Sequence, residues 1–167
     1  MPLPIAHALV GASVVAATYT RPRSPRYLLA LIVGASLANA ADLDFLLVIA
    51  FHSRAWHRGF THSLVFAACV TLLFVFAFGH WRRARDGAAY GLAFASHCIL
   101  DFLTTKEGGG VELLWPFSTD RFALSWAGLS ELPSRLPPLT VLKWLAVEFA
   151  LFAPLLLFIW YWRRSST

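Results

Sequence analysis

The sequence predicts an all-α, polytopic membrane protein of about five transmembrane helices, with a structured loop between the last two. Three observations lead there. Hydrophobic residues make up 58% of the 167 positions and charged residues only 14%, against about half and about a quarter in soluble domains. The apolar residues form runs near the roughly 20 residues that cross a bilayer. The arginines fall in short clusters between these runs, as topology-setting charges do. So much apolar surface has no room in one water-soluble core, and lipid takes the excess. The chain reads as one membrane-embedded domain, residues 1–167.

The spans follow in order. Span 1 covers Pro4 to Thr20, short but free of charge. Span 2 runs from Tyr27 to Phe51 and crosses Asp42 and Asp44. Span 3 covers Thr61 to Trp81, and span 4 covers Gly87 to Thr105. Span 5, Leu139 to Trp162, ends in a Trp/Tyr cluster of the kind that anchors at a membrane interface. Loop 1 carries Arg21, Arg23 and Arg26, loop 3 carries Arg82, Arg83 and Arg85, and the tail carries Arg163 and Arg164. With five spans these share one side, which the positive-inside rule makes cytoplasmic. The N-terminus, loop 2 (52–60) and loop 4 (106–138) are then outside, and the C-terminus is cytoplasmic. Loop 4 holds Gly108, Gly109 and Gly110, then Trp115, Pro116 and Phe117, and later Pro133, Pro137 and Pro138. It breaks any helix, yet it is too apolar for a linker and is expected to fold over the membrane surface.

Other classes are set aside. The net charge of +5 does not indicate nucleic acid, because the arginines do not line one face. Cys69 and Cys98 sit inside apolar runs and match no zinc spacing. No cleaved signal peptide is expected, since the first basic residue, Arg21, follows the first apolar run.

Ionisable residues inside a membrane are costly, so each marks a candidate site. His7, Asp42, Asp44, His57, His62, His97 and Asp101 come from four segments but fall at one face, the outer one. His80, alone at the other end, is read as structural. His97 and Asp101, four apart on a helix, are stacked neighbours. They can grip a divalent ion or simply hydrogen-bond each other. Asp42 and Asp44 diverge on a regular helix, at about 100° per step. Both reach one site only if the backbone departs from the helix there, which a membrane tolerates where protein buries it. In the segment His57 to Ser63, Gly59 permits a turn that brings His57 and His62 together. Thr61 or Ser63 is a candidate cap for span 3. Arg58 suits a phosphate. His52 is a weaker candidate. Trp115, Pro116 and Phe117 suggest an apolar lip, and Arg121 a second anion contact.

These residues resemble the bacterial family of predicted membrane-bound, metal-dependent hydrolases, the YdjM type. The matching pieces are His7, the acidic pair Asp42 and Asp44, the run HRGFTHS (His57 to Ser63), the helix SHxxxD (Ser96, His97, Asp101) and LLWPF (Leu113 to Phe117). They occupy residues 5–122, and the last span (139–162) carries no motif. The family usually has proline before the acidic pair, where this chain has Ala41. The resemblance implies a bacterial inner-membrane location and a metal-dependent hydrolase activity.

The expected function is hydrolysis of a phosphoester, of a lipid in view of the headgroup-level site. One or two divalent ions are expected, zinc favoured over Mn or Mg. The candidate ligands are His7, Asp42, Asp44, His57, His62, His97 and Asp101. Asp44 is the candidate base or bridging ligand, and Arg58 the candidate catalytic phosphate contact. Thr61, Trp115 and Arg121 complete the substrate-binding set. The expected partners are the bilayer and a phospholipid or other phosphoester, with no nucleic acid. Two alternatives stand beside this: a metal- or proton-handling transporter, and a non-catalytic protein whose metal staples its helices.

Overall fold

A computed structural model describes residues 2–78, 81–105, 109–125 and 137–165. His80, Gly108 and Pro133 lie outside the described residues. Among the described residues there are six α-helices: α1 Pro4–Thr18, α2 Tyr27–Leu37, α3 Phe45–Phe51, α4 Leu64–Ala77, α5 Trp81–Thr104 and α6 Pro138–Ser165. Among the described residues the only extended pairing is an isolated bridge between Val111 and Phe122.

The helices begin and end for local reasons. Pro4 opens α1, where its fixed φ helps and its missing N–H costs nothing. Ser63 caps α4, accepting a hydrogen bond from Phe66 N; of the two cap candidates, Ser63 is the cap and Thr61 is not. Span 2 is not one helix. It stops at Leu37, passes through a 3-10 turn, Ala40–Asp44, and resumes as α3 with a 43° bend. The departure expected at the acidic pair is therefore present, made without a proline. A second bent pair, Arg54–His62 with α4, turns by 53°; its first half lies mostly in the expected loop 2 and not in span 3.

One helix, Leu139–Ser165, is by itself long and apolar enough to cross a membrane. Each bent pair meets the same test if counted whole, which makes up to three spans among the described residues. Five spans are thus not reproduced. At 15 residues, α1 is short. The longer α5 has Arg83, Arg85 and Asp86 near its start and His97 and Asp101 near its end.

Helices α1 and α5 form the centre. α1 packs on α2, α5 and α6, and α5 also packs on α2 and α4. Small residues on α1 make this possible. A Cβ on Gly11 would overlap the Ala38 side chain and the Gly34 carbonyl, so α1 and α2 are in backbone contact there. The outward faces of α2, α4 and α6 are apolar and exposed, for example Leu28, Leu72 and Leu157. That surface suits lipid and not water.

The two ends of this bundle differ in chemistry. At one, Asp86 of α5 accepts hydrogen bonds from Thr20 N (2.9 Å), Thr20 Oγ1 (2.6 Å) and Arg21 Nη2 (2.6 Å). Arg163 of α6 donates to the Tyr19 carbonyl, at 2.9 Å. Loop 1, the start of α5 and the end of α6 therefore share a face, as the arginine clusters predict. The other end gathers the start of α1, the 3-10 turn of span 2, the start of α4 and the end of α5, which are the segments that carry the histidines and aspartates.

The described part of loop 4, residues 109–125, folds onto that second end. Gly109 and Gly110 take left-handed φ values of 85° and 80°, which glycine adopts without steric cost. Val111 and Phe122 then exchange backbone hydrogen bonds of 3.0 and 2.9 Å. Leu113 O accepts from Leu64 N, Glu112 N donates to Arg58 O, and Leu124 N donates to Phe102 O. The loop is tied to the HRGFTHS segment and to α5, as expected of a structured loop.

Candidate metal centre

The centre starts from the break in span 2. Because α2 ends at Leu37, the Ala38 carbonyl is released from helical bonding, one of the orphan acceptors at a helix end. It accepts a 2.6 Å hydrogen bond from His97 Nδ1. That contact commits the Nδ1 proton and leaves the lone pair on Nε2.

His62 is held the same way. Its Nδ1 lies 3.0 Å from Thr61 Oγ1 and 3.3 Å from Asp44 Oδ2. Thr61 Oγ1 donates its own proton to Asp44 Oδ2 at 3.1 Å, so it accepts from the imidazole. Again the Nε2 lone pair is left. The two Nε2 atoms face each other across 3.0 Å, with both rings fully buried. Two lone pairs at that distance repel unless a cation or a proton lies between them.

Carboxylates close around the pair. Asp42 Oδ1 is 3.6 Å from His62 Nε2 and 3.5 Å from His97 Nε2. Asp101 Oδ2 is 3.6 and 3.8 Å from the same two atoms. A tetrahedral ion with bonds near 2.0–2.1 Å needs donor–donor edges of about 3.3–3.5 Å. The edges among His62, His97 and Asp42 lie between 3.0 and 3.6 Å, and these three form a group able to hold an ion, with Asp101 Oδ2 3.6 and 3.8 Å from the two imidazoles. The donor chemistry fits too, since imidazole and carboxylate suit zinc and its neighbours. Asp42 Oδ1 and both oxygens of Asp101 are buried and take no hydrogen bond among the described residues. Buried polar atoms are ordinarily satisfied, so these need a partner of another kind.

His7 adds a second layer. Its ring stacks on His97 with centroids 3.9 Å apart, and its Nε2 lies 3.4 Å from Asp101 Oδ1. Neither of its nitrogens is hydrogen-bonded. His7, His97 and Asp101 form a further group able to hold an ion. With Nδ1 spent on Ala38, however, His97 can serve only one ion at a time. Asp101, with one oxygen toward His7 and the other toward His62 and His97, is the residue placed to bridge.

Asp44 is placed differently from Asp42. In a 3-10 turn, residues two apart point about 120° away from each other. Asp42 meets the Nε2 side of His62 and Asp44 the Nδ1 side. The Asp44 carboxylate accepts from Arg58 N (2.9 Å), His57 Nδ1 (3.0 Å) and Thr61 Oγ1 (3.1 Å). Although Asp42, Asp44 and His57 also form a possible ion-holding group, Asp44's oxygens are already engaged. The sharp turn of HRGFTHS falls on Arg58, at φ 60°, and not on Gly59, at φ −81°. The bonds of Arg58 N to Asp44 and Arg58 O to Glu112 hold that left-handed residue in place. Its side chain is buried, with Nε 3.7 Å from Asp101 Oδ2.

Several predicted contacts are engaged elsewhere. Arg121 Nη2 donates to the carbonyls of Ala55 (2.9 Å) and His57 (3.1 Å) and lies 3.4 Å from Glu112 Oε1, so it clasps loop 4 to loop 2. Thr61 is spent on Asp44. Trp115 packs on Phe60, with centroids 5.6 Å apart, and Phe117 is 87% exposed, as an apolar lip requires. His52 is exposed at the left-handed end of α3 and belongs to none of the ion-holding groups. Both cysteines are free, Cys69 exposed and Cys98 buried. The Asp42 and His57 side chains, 16% and 18% exposed, are the open side of a cluster whose other members are buried.

Two residues escaped sequence reasoning. The Ala38 carbonyl leaves no trace in residue type. Glu148 does: it is the one acid within the last span. Its buried carboxylate accepts from Leu3 N at 2.8 and 3.1 Å, four residues before His7. The rule applied to the histidines, that an intramembrane charge marks something, would have found it.

The family model described as YdjM inner membrane protein matches residues 1–166. The chain is 40% identical over 139 residues to the inner membrane protein YbcI of Escherichia coli (strain K12), covering 81% of this chain and 80% of that protein. No solved structure matches it.

Proposed function

This chain belongs to the YdjM inner membrane protein family, and from that premise we propose that it is a metal-dependent hydrolase of a phosphoester presented at the bilayer surface. The observation that carries the reading is the pair of imidazole Nε2 atoms 3.0 Å apart, each with its Nδ1 side committed, ringed by Asp42 and Asp101. His62, His97, Asp42 and Asp101 would hold the ion, zinc by its donor set, with His7 beside Asp101 for a second. A bound divalent ion supplies a water of lowered pKa and polarises a phosphoryl oxygen.

The chain's own residues do the rest. Asp44 is a positioning residue, orienting His57 and His62 through their Nδ1 atoms. With Nδ1–H donated to Asp44, His57 keeps Nε2 free to take up or deliver a proton, the role first expected of Asp44 itself. Arg58, next to Asp101, supplies a guanidinium for the phosphate. Phe60 and Trp115 form the apolar lip along which a lipid phosphoester reaches the site. The loop arginines at the opposite end support an extracytoplasmic site with a cytoplasmic C-terminus.

Elemental analysis of the purified protein tests the reading. Wild type carries a stoichiometric divalent ion and hydrolyses a soluble or lipid phosphomonoester or diester, and His97→Ala with Asp101→Ala loses both. Unchanged metal content in that variant defeats the site assignment. The burial of five of the seven cluster residues also favours a second reading, a closed structural site. Chelation then lowers the melting temperature sharply, and no phosphoester is turned over by the loaded protein.

A further inference from the structure

We infer that the arginine-bearing end of the bundle holds one anionic phospholipid, with its headgroup between Arg23 and Arg164 and its acyl chains along α2 and α6. This site is remote from the histidine cluster and independent of the proposed chemistry there.

A cavity of about 440 Å³ lies between loop 1, α2 and the end of α6. Its rim carries Arg23 and Arg164, and its walls include Leu28, Leu156, Leu157 and Trp160. No carboxylate is among the lining residues. Asp86, at the same end, is taken by Thr20 and Arg21. Among the described residues, therefore, no carboxylate neutralises the two rim charges. Arg23 donates to the Arg164 carbonyl through Nε (3.3 Å) and Nη2 (3.1 Å), which fixes it at the rim while leaving its charge intact. The Arg164 guanidinium sits 5.0 Å over the Trp160 ring, a cation–π contact that orients it without cancelling it.

The shape selects the occupant. Below the charged rim the groove is apolar and open to the lipid-facing side, with Leu28 68% and Leu157 61% exposed. One wall is α6, the helix that meets the requirements of a membrane span by itself. A ligand that matches both parts has an anionic head and long hydrocarbon tails. A free phosphate would use only the rim. Basic pockets between membrane helices commonly take such headgroups.

Native mass spectrometry of the full chain in detergent, with added phosphatidylglycerol or phosphatidylcholine, tests this. Wild type retains one phosphatidylglycerol in preference to phosphatidylcholine. Arg23→Gln with Arg164→Gln lowers that retention roughly 30-fold. Arg26→Gln with Arg83→Gln, which removes two exposed charges of the same end outside the groove, leaves it unchanged. Leu28→Trp with Leu157→Trp fills the groove, keeps both guanidiniums, and also loses the lipid. Should the arginine variant fail to fold, the groove-filling variant and the wild-type lipid preference still decide. Equal retention of phosphatidylcholine, or equal loss in the Arg26 and Arg83 variant, overturns the proposal. So does displacement of the lipid by millimolar inorganic phosphate, which would mark the rim as a site for the free ion.

Discussion

The two polar ends of the helix bundle solve the same problem in opposite ways. At the arginine end, buried Asp86 is surrounded by donors from Thr20 and Arg21 and has what a carboxylate needs. At the histidine end, buried Asp101 takes no hydrogen bond on either oxygen among the described residues, and neither does His7 on either nitrogen. A polar group kept for architecture is satisfied by the protein around it. A polar group kept for a ligand is held in place by its neighbours and left unsatisfied toward a common point. The first arrangement braces α5 against loop 1, and the second gathers donor atoms from four segments at ion-binding distances.

Breaking the unsatisfied end should cost the ligand, not the fold. His62→Ala with His97→Ala removes both facing Nε2 donors and should weaken divalent-ion affinity more than about 100-fold, read by competition with a chromogenic chelator. Retained tight binding would mean that the ion, if any, sits elsewhere. Asp44→Asn keeps the shape but weakens the orientation of His57 and His62. Ion affinity should fall about 10- to 100-fold, with stoichiometry recovered at excess metal.

Breaking the satisfied end should do the reverse. Asp86→Ala leaves Thr20 N and Arg21 without their acceptor and should destabilise the protein by about 2 kcal/mol, read by thermal unfolding in detergent. Its metal content should match wild type, and a loss of metal there would erase the contrast between the ends. The smallest effect is expected at Ser63→Ala, which removes the cap of α4 for about 1 kcal/mol and sharpens the comparison by showing how far a purely local change at the histidine end spares the ion.

Much of this was legible in residue order. Apolar runs require helices in lipid, because backbone polar groups must be satisfied within the segment. Asp42 and Asp44, two apart in an apolar run, required a helix break, and the 3-10 turn is that break. His97 and Asp101, four apart, required a shared helix face, and α5 supplies it. The role of Asp44 was not legible. Type and spacing made it equivalent to Asp42, and only the 120° step of the turn sends one carboxylate to the Nε2 side of His62 and the other to its Nδ1 side. The structural role of Arg121 was not legible for a related reason: nothing local in the sequence indicates that its Nη2 donates to the carbonyls of Ala55 and His57.

The sequence by itself therefore determined the class of protein, the membrane setting, the segregation of arginines from histidines and aspartates, and the residue types at the centre. These depend on hydropathy and on spacing along one chain. Tertiary structure alone decided which nitrogen of His62 and of His97 is committed to a neighbour, which aspartate faces their Nε2 atoms and which faces Nδ1 of His62, and which loop residues are spent on holding the site together. Those outcomes depend on partners far apart in sequence, such as Ala38 for His97 and Leu3 for Glu148, and no local pattern encodes a distance between them.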